Sequence, residues 1–324
     1  MISGFTLLRQ PETSLELHEK NGALVAPDGK TYPIVNGIPR FVDADGYTED
    51  FGWQWKRFRQ TQLDSHSGLS ISHDRLEKCL HGHLSQLQGK SVLEAGSGAG
   101  RFTEPLLKTG ANLCSFDLSA AVEANAENNG AEGNFTLAQA DILKMPFAPA
   151  SFDYVICLGV VQHTPNPEDT MRSLYSMVRP GGYLCIDHYI KSWRWVMPPP
   201  IGYAINTYRQ VVLALSRRKR FATVQKIVNF WFPIHWRFKD SRWAKTILPR
   251  LSPVAFYYPG IPLKSKEAYY EWALLDTHDS LTDYYKHVRN AQEIETCLRT
   301  LGATEIAIVE AGNGVEAFCR KPAI

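Results

Sequence analysis

The amino-acid sequence predicts an α/β fold in which a mostly parallel β-sheet is flanked by helices. Residues 92–102 form an apolar strand that runs into a glycine-rich loop and then a helix. Strand-like segments follow at 111–117, 135–142, 151–163 and 179–188, separated by helical or turn-forming stretches. Near the end of the chain, a helical segment precedes a β-hairpin. Strands that alternate with helices in this way are typical of a parallel sheet.

The glycine-rich loop follows an acidic residue, Glu94, and carries glycines at positions 96, 98 and 100. Glycine permits tight turns and a close approach of the backbone to a ligand because it lacks a Cβ atom. The first N–H groups of the following helix are available to a polar ligand. A dinucleotide-binding loop would place its third glycine at the position of Arg101, and an acid before the loop would repel a pyrophosphate. The spacing therefore argues against a dinucleotide.

The later strand segments place acids where neighbouring strands end. Asp117 lies about twenty residues after the glycine loop, where an acid can accept both hydroxyls of a ribose. Asp141 ends the next segment and is placed to accept a hydrogen bond from an adenine amino group. The run 151–163 is almost continuously apolar, as expected for a buried parallel strand. Asp117 and Asp141 are therefore candidate ligand contacts.

From Ser91 to Tyr189, the order and spacing of these motifs resemble the class I S-adenosylmethionine (SAM) methyltransferases. The branch of the ubiquinone C-methyltransferases and many small-molecule O-methyltransferases is the most similar. The resemblance implies a Rossmann-like sheet of seven strands, the last one antiparallel, with SAM as the cofactor. The alternative is a different Rossmann-like protein whose carboxylates merely cap strands.

The same resemblance implies the cofactor-binding residues. Glu94 would order the glycine loop and the methionine end of SAM, Asp117 would hold the ribose, and Asp141 would hold the adenine amino group. The full expected set is Glu94, Gly96, Ser97, Gly98, Gly100, Arg101, Asp117, Leu118, Asp141, Ile142 and Leu158.

We divide the chain into five segments. We expect residues 1–46 to form a small β cap and residues 47–90 to form a helical segment that covers the cofactor. The SAM-binding core follows at 91–190, and 191–289 is predicted to be a mostly helical lid over the substrate. Residues 290–324 complete the core with a helix and a β-hairpin.

The predicted cap contains the string Tyr32–Pro39, which resembles the small zinc-ribbon partner protein of tRNA methyltransferases. Cysteine pairs flank the early turns in that family, whereas this segment has no cysteine. We therefore expect no metal here, and we favour a small β cap packed on the catalytic domain.

The segment that follows the cap is aromatic and polar. Phe51, Trp53, Trp55 and Phe58 are followed by polar residues that include Arg59. Aromatic residues at helical spacing are more often core than ligand contacts. A cofactor or substrate contact from this segment and a purely structural role both stay open.

Composition limits the class of protein. The chain has 324 residues, a net charge of +2 and 44% hydrophobic residues, which allows a substantial core but argues against a broad nucleic-acid surface. Its six cysteines are scattered without a C-x-x-C pair, as expected for reduced, buried thiols. No signal-like segment or long apolar run is present in the sequence. We expect a cytoplasmic protein without a transmembrane segment.

The insertion predicted to form the lid is rich in aromatic residues and proline, and it contains the basic run Arg217–Arg220. A ligand of an open α/β sheet binds at the carboxyl ends of the strands, so an insertion here is placed over the substrate side. Three interpretations of the basic run remain: a solvated helix end, a site for an anionic group of the substrate, and a contact with a membrane surface.

His163 is the candidate catalytic residue. It follows the fourth strand, where this fold brings the substrate to the methyl group. Asn166 and Pro167 are placed to begin the next helix, which would hold His163 on a short loop between two rigid elements. A general base and a residue that only hydrogen-bonds the backbone are both open interpretations.

Further candidates for substrate contacts lie elsewhere in the chain. We expect them at Arg59, His188, Tyr189, His278 and Tyr284. The leading function is transfer of a methyl group from SAM to a small molecule, most simply to a hydroxyl. The alternatives are an RNA or protein methyltransferase, and a SAM-binding scaffold without catalysis; no stable nucleic-acid partner is expected.

Overall fold

The computed structural model describes residues 5–42, 54–130, 133–312 and 314–323, with the backbone alone at 195, 196 and 259. The chain divides into two compact units. The first, which we call the core unit, comprises Met1–Asp64, Ser70–Ile190 and Tyr285–Ile324. The second, the helical unit, comprises Ser65–Leu69 and Lys191–Tyr284.

The described strands and helices are numbered in chain order. The strands are β1 (His18–Lys20), β2 (Ala23–Val25), β3 (Thr31–Val35), β4 (Ile38–Pro39), β5 (Ser91–Ala95), β6 (Asn112–Asp117), β7 (Phe135–Gln139), β8 (Phe152–Cys157), β9 (Val178–His188), β10 (Thr304–Ala311) and β11 (Gly314–Arg320). The helices are α1 (Asp64–Ser67), α2 (Ile71–Cys79), α3 (Thr103–Lys108), α4 (Val122–Asn129), α5 (Pro167–Met177), α6 (Trp193–Val196), α7 (Ile205–Leu213), α8 (Arg217–Arg237), α9 (Arg242–Leu251), α10 (Lys266–Thr282) and α11 (Ala291–Thr300).

The main sheet of the core unit has seven strands in the order β10-β11-β9-β8-β5-β6-β7. Strands β5 to β9 are parallel to one another, and β11 is antiparallel to both β9 and β10. The predicted sheet of seven strands with an antiparallel last strand is therefore confirmed. Because successive side chains of a strand point to opposite faces, Leu93 and Val155 enter one apolar cluster while Val92 and Ile156 enter the other.

A small antiparallel sheet, β1-β2-β3-β4, lies at the N-terminus, as predicted. Its last turn is at Asn36 and Gly37, both with positive φ (53° and 76°), a conformation that suits this Asn-Gly pair. The chain then joins the edge of the main sheet. The Phe41 N–H donates to the Gln139 carbonyl at 2.8 Å, and the Arg40 guanidinium donates to the Gln139 side chain at 2.9 Å.

The fourth strand of the parallel set is shorter than the run 151–163 suggested. Strand β8 ends at Cys157, because the chain turns at Gly159, whose φ is +76°. A single 3₁₀ turn, Val161–His163, follows. Asn166 then caps α5 by accepting the N–H groups of Glu168 and Asp169, as its position predicted.

The segment before the core is less continuously helical than predicted. Its described helical residues are 54–57, 64–67 and 71–79, with a 3₁₀ turn at Leu84–Gln86. Gly68 and Gly82 adopt positive φ between these pieces and interrupt them. The role of Phe51 and Trp53 stays open, because both residues lie outside the described residues.

The helical unit consists of α6 to α10 with the short α1 region. Within it, α10 packs against both α7 and α8, and a smaller apolar cluster forms between α9 and the end of α8. No helix in the described part of the chain is long and apolar enough to cross a bilayer.

Candidate active site

The glycine loop joins β5 to α3 and is packed from both sides. The N–H groups of Gly96 and Ser97 both donate to the carbonyl of Phe116 in β6, at 2.8 and 3.0 Å. Gly96 has φ +76°, and a Cβ atom there would come within 2.3 Å of Val160. Glycine at this position thus lets the loop after β8 lie directly against the glycine loop.

The other two glycines serve different contacts. The Gly98 N–H donates to Asp117 at 2.9 Å, and the Trp55 indole lies over its Cα side, 3.4 Å from the position of a Cβ atom. A Cβ atom at Gly100 would clash with the side chains of Asn125 and Asn129, at 2.4 and 2.2 Å. Gly98 therefore lies at the binding edge of the loop, whereas Gly100 is required by packing on α4.

Glu94 is a buried acid beneath the loop, with 3% of its surface exposed. Its Oε2 accepts hydrogen bonds from the hydroxyls of Thr103 and Ser115, both at 2.6 Å. Its Oε1 is buried and has no partner among the described residues. Burial raises the pKa of Glu94 to about 7, because the charged form loses its hydration. A cation close to Oε1 would favour the charged form and lower this pKa again.

Asp117 and Asp141 lie at the ends of neighbouring strands. The Ala140 N–H donates to the Asp117 carbonyl at 3.0 Å, which ties the two strand ends together. Asp117 Oδ1 accepts both the N–H and the hydroxyl of Ser119, and desolvation raises the pKa of Asp117. Asp141 accepts the N–H of Leu143 at 2.9 Å. Both carboxylates remain partly exposed, so each retains a face for a ligand.

The remaining predicted cofactor residues occupy varied positions. Ser97 is buried, and its hydroxyl has no partner among the described residues. Arg101 donates to Ser72 and Gln62 at 3.2 Å, so it binds the loop to the segment before the core. Leu118 is half-buried, whereas Ile142 and Leu158 are buried within the two apolar clusters.

The loop after β8 is fixed by a buried ion pair. Asp187, near the end of β9, accepts the N–H of Gly159 at 2.5 Å. Its other oxygen pairs with Arg75 from α2, and the Asp187 side chain is fully buried. Arg75 and Asp187 therefore hold together the ends of two adjacent strands and a helix from before the core.

His163 lies at the end of this loop and is oriented by the backbone. Its Nδ1 lies 3.2 Å from the carbonyl oxygen of Tyr285, which assigns the ring proton to Nδ1 and leaves Nε2 as an acceptor. The ring is partly exposed and meets the Tyr189 ring edge-on, with a centroid distance of 5.3 Å. Lys286 lies over the same Tyr189 ring, at 5.4 Å.

Beside His163 are three side chains that carry buried polar atoms without described partners. Gln162 is fully buried, and neither atom of its amide has a hydrogen-bond partner among the described residues. His188 Nδ1 is 3.1 Å from the Tyr189 carbonyl, while its buried Nε2 has no described partner. The Nε2 atom of His287 is also buried without one, and the His287 N–H donates to the Gln162 carbonyl at 2.9 Å.

Burial also sets the charge of this group. It lowers the pKa of His188 to about 4 and lowers the pKa of His287, because a buried imidazolium loses its hydration. Both rings are neutral near pH 7, and Nε2 of His188 is then a hydrogen-bond acceptor. The ion pair between Arg289 and Glu168 closes the group on the side of α5.

Three of the predicted substrate residues are Arg59, His278 and Tyr284. Arg59 is exposed and pairs with Glu127 on α4. His278 and Tyr284 belong to the helical unit, where His278 is buried 5.7 Å from the Phe221 ring and Tyr284 is 60% exposed. In the basic run Arg217–Arg220, Arg220 donates to the carbonyls of Leu213 and Leu215 at the end of α7, whereas the other three residues are exposed.

No cluster of potential metal ligands is present in the described residues.

The donors and acceptors at the glycine loop fit SAM. A partly exposed carboxylate at Asp117 suits a pair of ribose hydroxyls, and the unpartnered atoms of Glu94 and Ser97 suit the polar methionine end. The side chains brought together here include several that the sequence did not single out, namely Arg75, Gln162 and His287. Only Gln162 could have been suspected from the sequence, because it directly precedes the candidate His163.

Comparison with known proteins agrees with this geometry. Residues 93–186 match the family model of the methyltransferase domain. Ubiquinone biosynthesis O-methyltransferase of Pseudomonas entomophila is 34% identical over 99 residues, which are 30% of this chain and 43% of the relative. The corresponding protein of an Azoarcus species is 33% identical over 107 residues, 32% of this chain and 45% of the relative. The chain thus spans less than half the length of these curated relatives.

A similar solved structure is magnesium protoporphyrin IX methyltransferase from Synechocystis with bound S-adenosylhomocysteine. It has a TM-score of 0.44 and 14% identity, and the match covers 85% of this chain and 95% of that one. A SAM-dependent methyltransferase from Aquifex aeolicus also has a TM-score of 0.44 and 14% identity, covering 83% and 98%. The family match and the strand order of the main sheet lead to one assignment: the chain carries a class I SAM-dependent methyltransferase domain, with S-adenosyl-L-methionine as its cofactor.

Proposed function

We propose that the protein transfers the methyl group of SAM to a hydroxyl group of a small molecule. The observation that carries this proposal is the pair of buried, unpartnered groups at Gln162 and His188. The Gln162 amide can donate to the hydroxyl oxygen, and the His188 Nε2 atom can accept a hydrogen bond from a second donor of the same molecule. The curated relatives with O-methyltransferase names support the same choice.

We assign the cofactor contacts to the cofactor half of the site, by which we mean the ends of β5, β6 and β7. In this assignment Asp117 accepts the ribose hydroxyls, Asp141 accepts from the adenine amino group, and Glu94 with Ser97 contacts the methionine end. Gly96 and Gly98 allow the backbone to approach the ligand. Gly100 and Arg101 act indirectly, because their contacts are with α4 and with the segment before the core.

The acceptor half of the site is the group formed by Gln162, His163, His188 and His287. When bound, SAM supplies a methyl group on a sulfonium, so the chain has to align a nucleophile and manage its proton. His163 is assigned as the general base, because the Tyr285 carbonyl holds the proton on Nδ1 and leaves Nε2 to take the hydroxyl proton. Gln162 positions the hydroxyl oxygen by donating from its amide, and the His188 Nε2 atom accepts from a second donor of the acceptor molecule. SAM would supply the methyl group with S-adenosylhomocysteine as the leaving group, and the hydroxyl proton would pass to His163 Nε2.

Several roles expected from the sequence remain predictions. They are the lid role of residues 191–289, the substrate contacts of Arg59, Tyr189, His278 and Tyr284, and an anionic group at Arg217–Arg220. A cytoplasmic location also belongs here; it is supported by six cysteines that are free thiols, five of them buried.

The test is formation of S-adenosylhomocysteine by the full chain incubated with SAM and a panel of phenols, alcohols, amines and thiols. We expect turnover with hydroxyl compounds and a methyl ether as the product. Turnover with amines alone, or with RNA or protein alone, would refute the proposal. Binding of S-adenosylhomocysteine in calorimetry without turnover on any acceptor would instead indicate a scaffold.

A further inference from the structure

The surface of the helical unit differs from that of the core unit. The helical unit contains 15 Lys and Arg against six Asp and Glu, a net charge of +9 in a chain whose total is +2. It also carries ten of the fifteen large apolar side chains that are exposed in the described residues. Exposed apolar side chains together with positive charge are typical of a surface that meets an anionic, partly apolar partner.

The apolar side chains are ordered on α9. Trp243, Ile247 and Leu251 follow one another at intervals of four residues and are exposed by 47%, 44% and 46%. Residues four apart lie on one side of a helix, so these three form a continuous apolar stripe. Arg242 and Lys245 on the same helix are exposed as well.

The opposite side of α9 is firmly held. Ala244 and Leu248 are buried in an apolar cluster with Tyr258, and Trp231 and Ile234 of α8 pack against this cluster. The Tyr258 hydroxyl donates to the Ala244 carbonyl at 3.0 Å, and it lies 3.0 Å from His235 Nδ1. These contacts hold the buried side of α9 in place. The apolar stripe therefore stays exposed on its other side.

Charge alone would suit RNA, an anionic metabolite or a lipid surface equally well. The stripe discriminates between them, because binding to phosphate groups does not use aliphatic side chains, whereas an interfacial helix buries Trp, Ile and Leu at the boundary of headgroups and acyl chains. We propose that α9 docks on an anionic lipid bilayer, with Trp243, Ile247 and Leu251 inserted among the headgroups. The net positive charge of the unit attracts it to that surface.

The experiment is co-sedimentation of the full chain with vesicles of phosphatidylcholine alone and with added phosphatidylglycerol. We expect binding to the anionic vesicles that weakens with salt. The double substitution Trp243→Ser/Ile247→Ser should reduce this binding by about tenfold or more, since it removes the largest apolar area of the stripe. The matched control Leu7→Ser/Val309→Ser removes exposed apolar side chains from the core unit and should bind as the unmodified chain does.

A second pair of variants tests the charge. Arg218→Glu/Lys219→Glu should lower affinity for anionic vesicles by about tenfold or more, because each basic residue near the surface adds to the attraction. The control Lys20→Glu/Lys90→Glu makes the same change in net charge on exposed residues of the core unit and should have a smaller effect.

Three outcomes would overturn the proposal. They are no binding to anionic vesicles, equal losses in the α9 and control variants, and competition by single-stranded RNA with no effect of the α9 substitutions. Circular dichroism and S-adenosylhomocysteine binding check that each variant is folded, so a loss of vesicle binding reports on the surface.

Discussion

The cofactor half and the acceptor half both lie at the carboxyl ends of strands of one sheet, but their contacts differ in how far apart the partners are in the chain. In the cofactor half, Glu94 and Asp117 are held by donors that lie two to 21 residues away in the chain. In the acceptor half, the contacts of His287 with Gln162 and of His163 with Tyr285 span 125 and 122 residues. The cofactor half is thus assembled locally, whereas the acceptor half depends on the complete fold.

The two halves also differ in what they leave without a partner. Among the described residues, the cofactor half leaves one oxygen of Glu94 and the hydroxyl of Ser97 unpartnered. The acceptor half leaves the whole amide of Gln162 and one nitrogen each of His188 and His287. Buried polar groups without partners cost stability. We infer that the unpartnered groups of the acceptor half destabilise the free protein, and that a polar ligand stabilises it by forming hydrogen bonds with them.

The largest effect is expected at His163. The substitution His163→Ala removes the proposed base and should lower turnover by roughly 100-fold or more. Affinity for S-adenosylhomocysteine should stay nearly unchanged, because His163 is not among the residues assigned to the cofactor half. Steady-state turnover and calorimetry on the same preparation measure the two quantities. Equal turnover of the variant and the unmodified enzyme across the pH range would remove the base role.

A pH-dependent effect is expected at Glu94 in the cofactor half. Its pKa is about 7 in the folded chain, above the ordinary value of 4.5, so the folded state binds the proton more tightly than the unfolded state. The carboxyl therefore destabilises the fold increasingly as the pH rises from about 4.5 to about 7, by roughly 3 kcal/mol in total.

Glu94→Gln removes this titration. Urea unfolding at pH 5 and pH 8 should show the unmodified chain losing stability relative to the variant at pH 8, and a parallel pH dependence in both would contradict the assignment. Binding of SAM, whose ammonium carries a positive charge, should release a proton near neutral pH. Calorimetry in buffers of different ionisation enthalpy measures that release.

Asp117→Ala should weaken binding of S-adenosylhomocysteine by about 100-fold, from the loss of hydrogen bonds to a charged group. The matched control is Asp153→Ala. Asp153 accepts the N–H of Ser91 at 2.9 Å near the opposite edge of the same sheet, so its loss should affect stability and spare affinity. If both variants lost the same affinity for S-adenosylhomocysteine, the assignment of Asp117 to the ribose would be contradicted.

The difference between the halves explains how much the sequence could predict. The glycine loop, Glu94 and Asp117 are linked through short chain separations, so their motif was recognisable and the sheet order followed from it. Arg75 offered no such signal, because its partner Asp187 becomes a neighbour only when α2 meets the end of β9. Gly100 shows that a recognisable motif does not fix the role of each of its residues. The motif suggested a cofactor contact at Gly100, but this glycine packs against side chains of α4.

The fourth strand was predicted too long for a similar reason. The apolar run 151–163 looks like one strand, because Val160 and Val161 are buried or partly buried against the core. The turn at Gly159 redirects the chain while the apolar pattern continues. Hydrophobicity alone does not distinguish a strand from a buried loop of this kind.

The smallest expected effect tests the central claim most directly. Gln162 and Asn125 are both fully buried amides in the core unit, but Asn125 donates to Thr103 and accepts from Asn129, both at 2.9 Å. We would measure the free energy of unfolding of Gln162→Met and Asn125→Leu in the ligand-free protein. Our account predicts that Gln162→Met stabilises the fold by about 1–2 kcal/mol while turnover falls, and that Asn125→Leu destabilises it by a similar amount. Destabilisation by both substitutions would show that Gln162 is already satisfied in the free protein and would contradict a site held in reserve for the methyl acceptor.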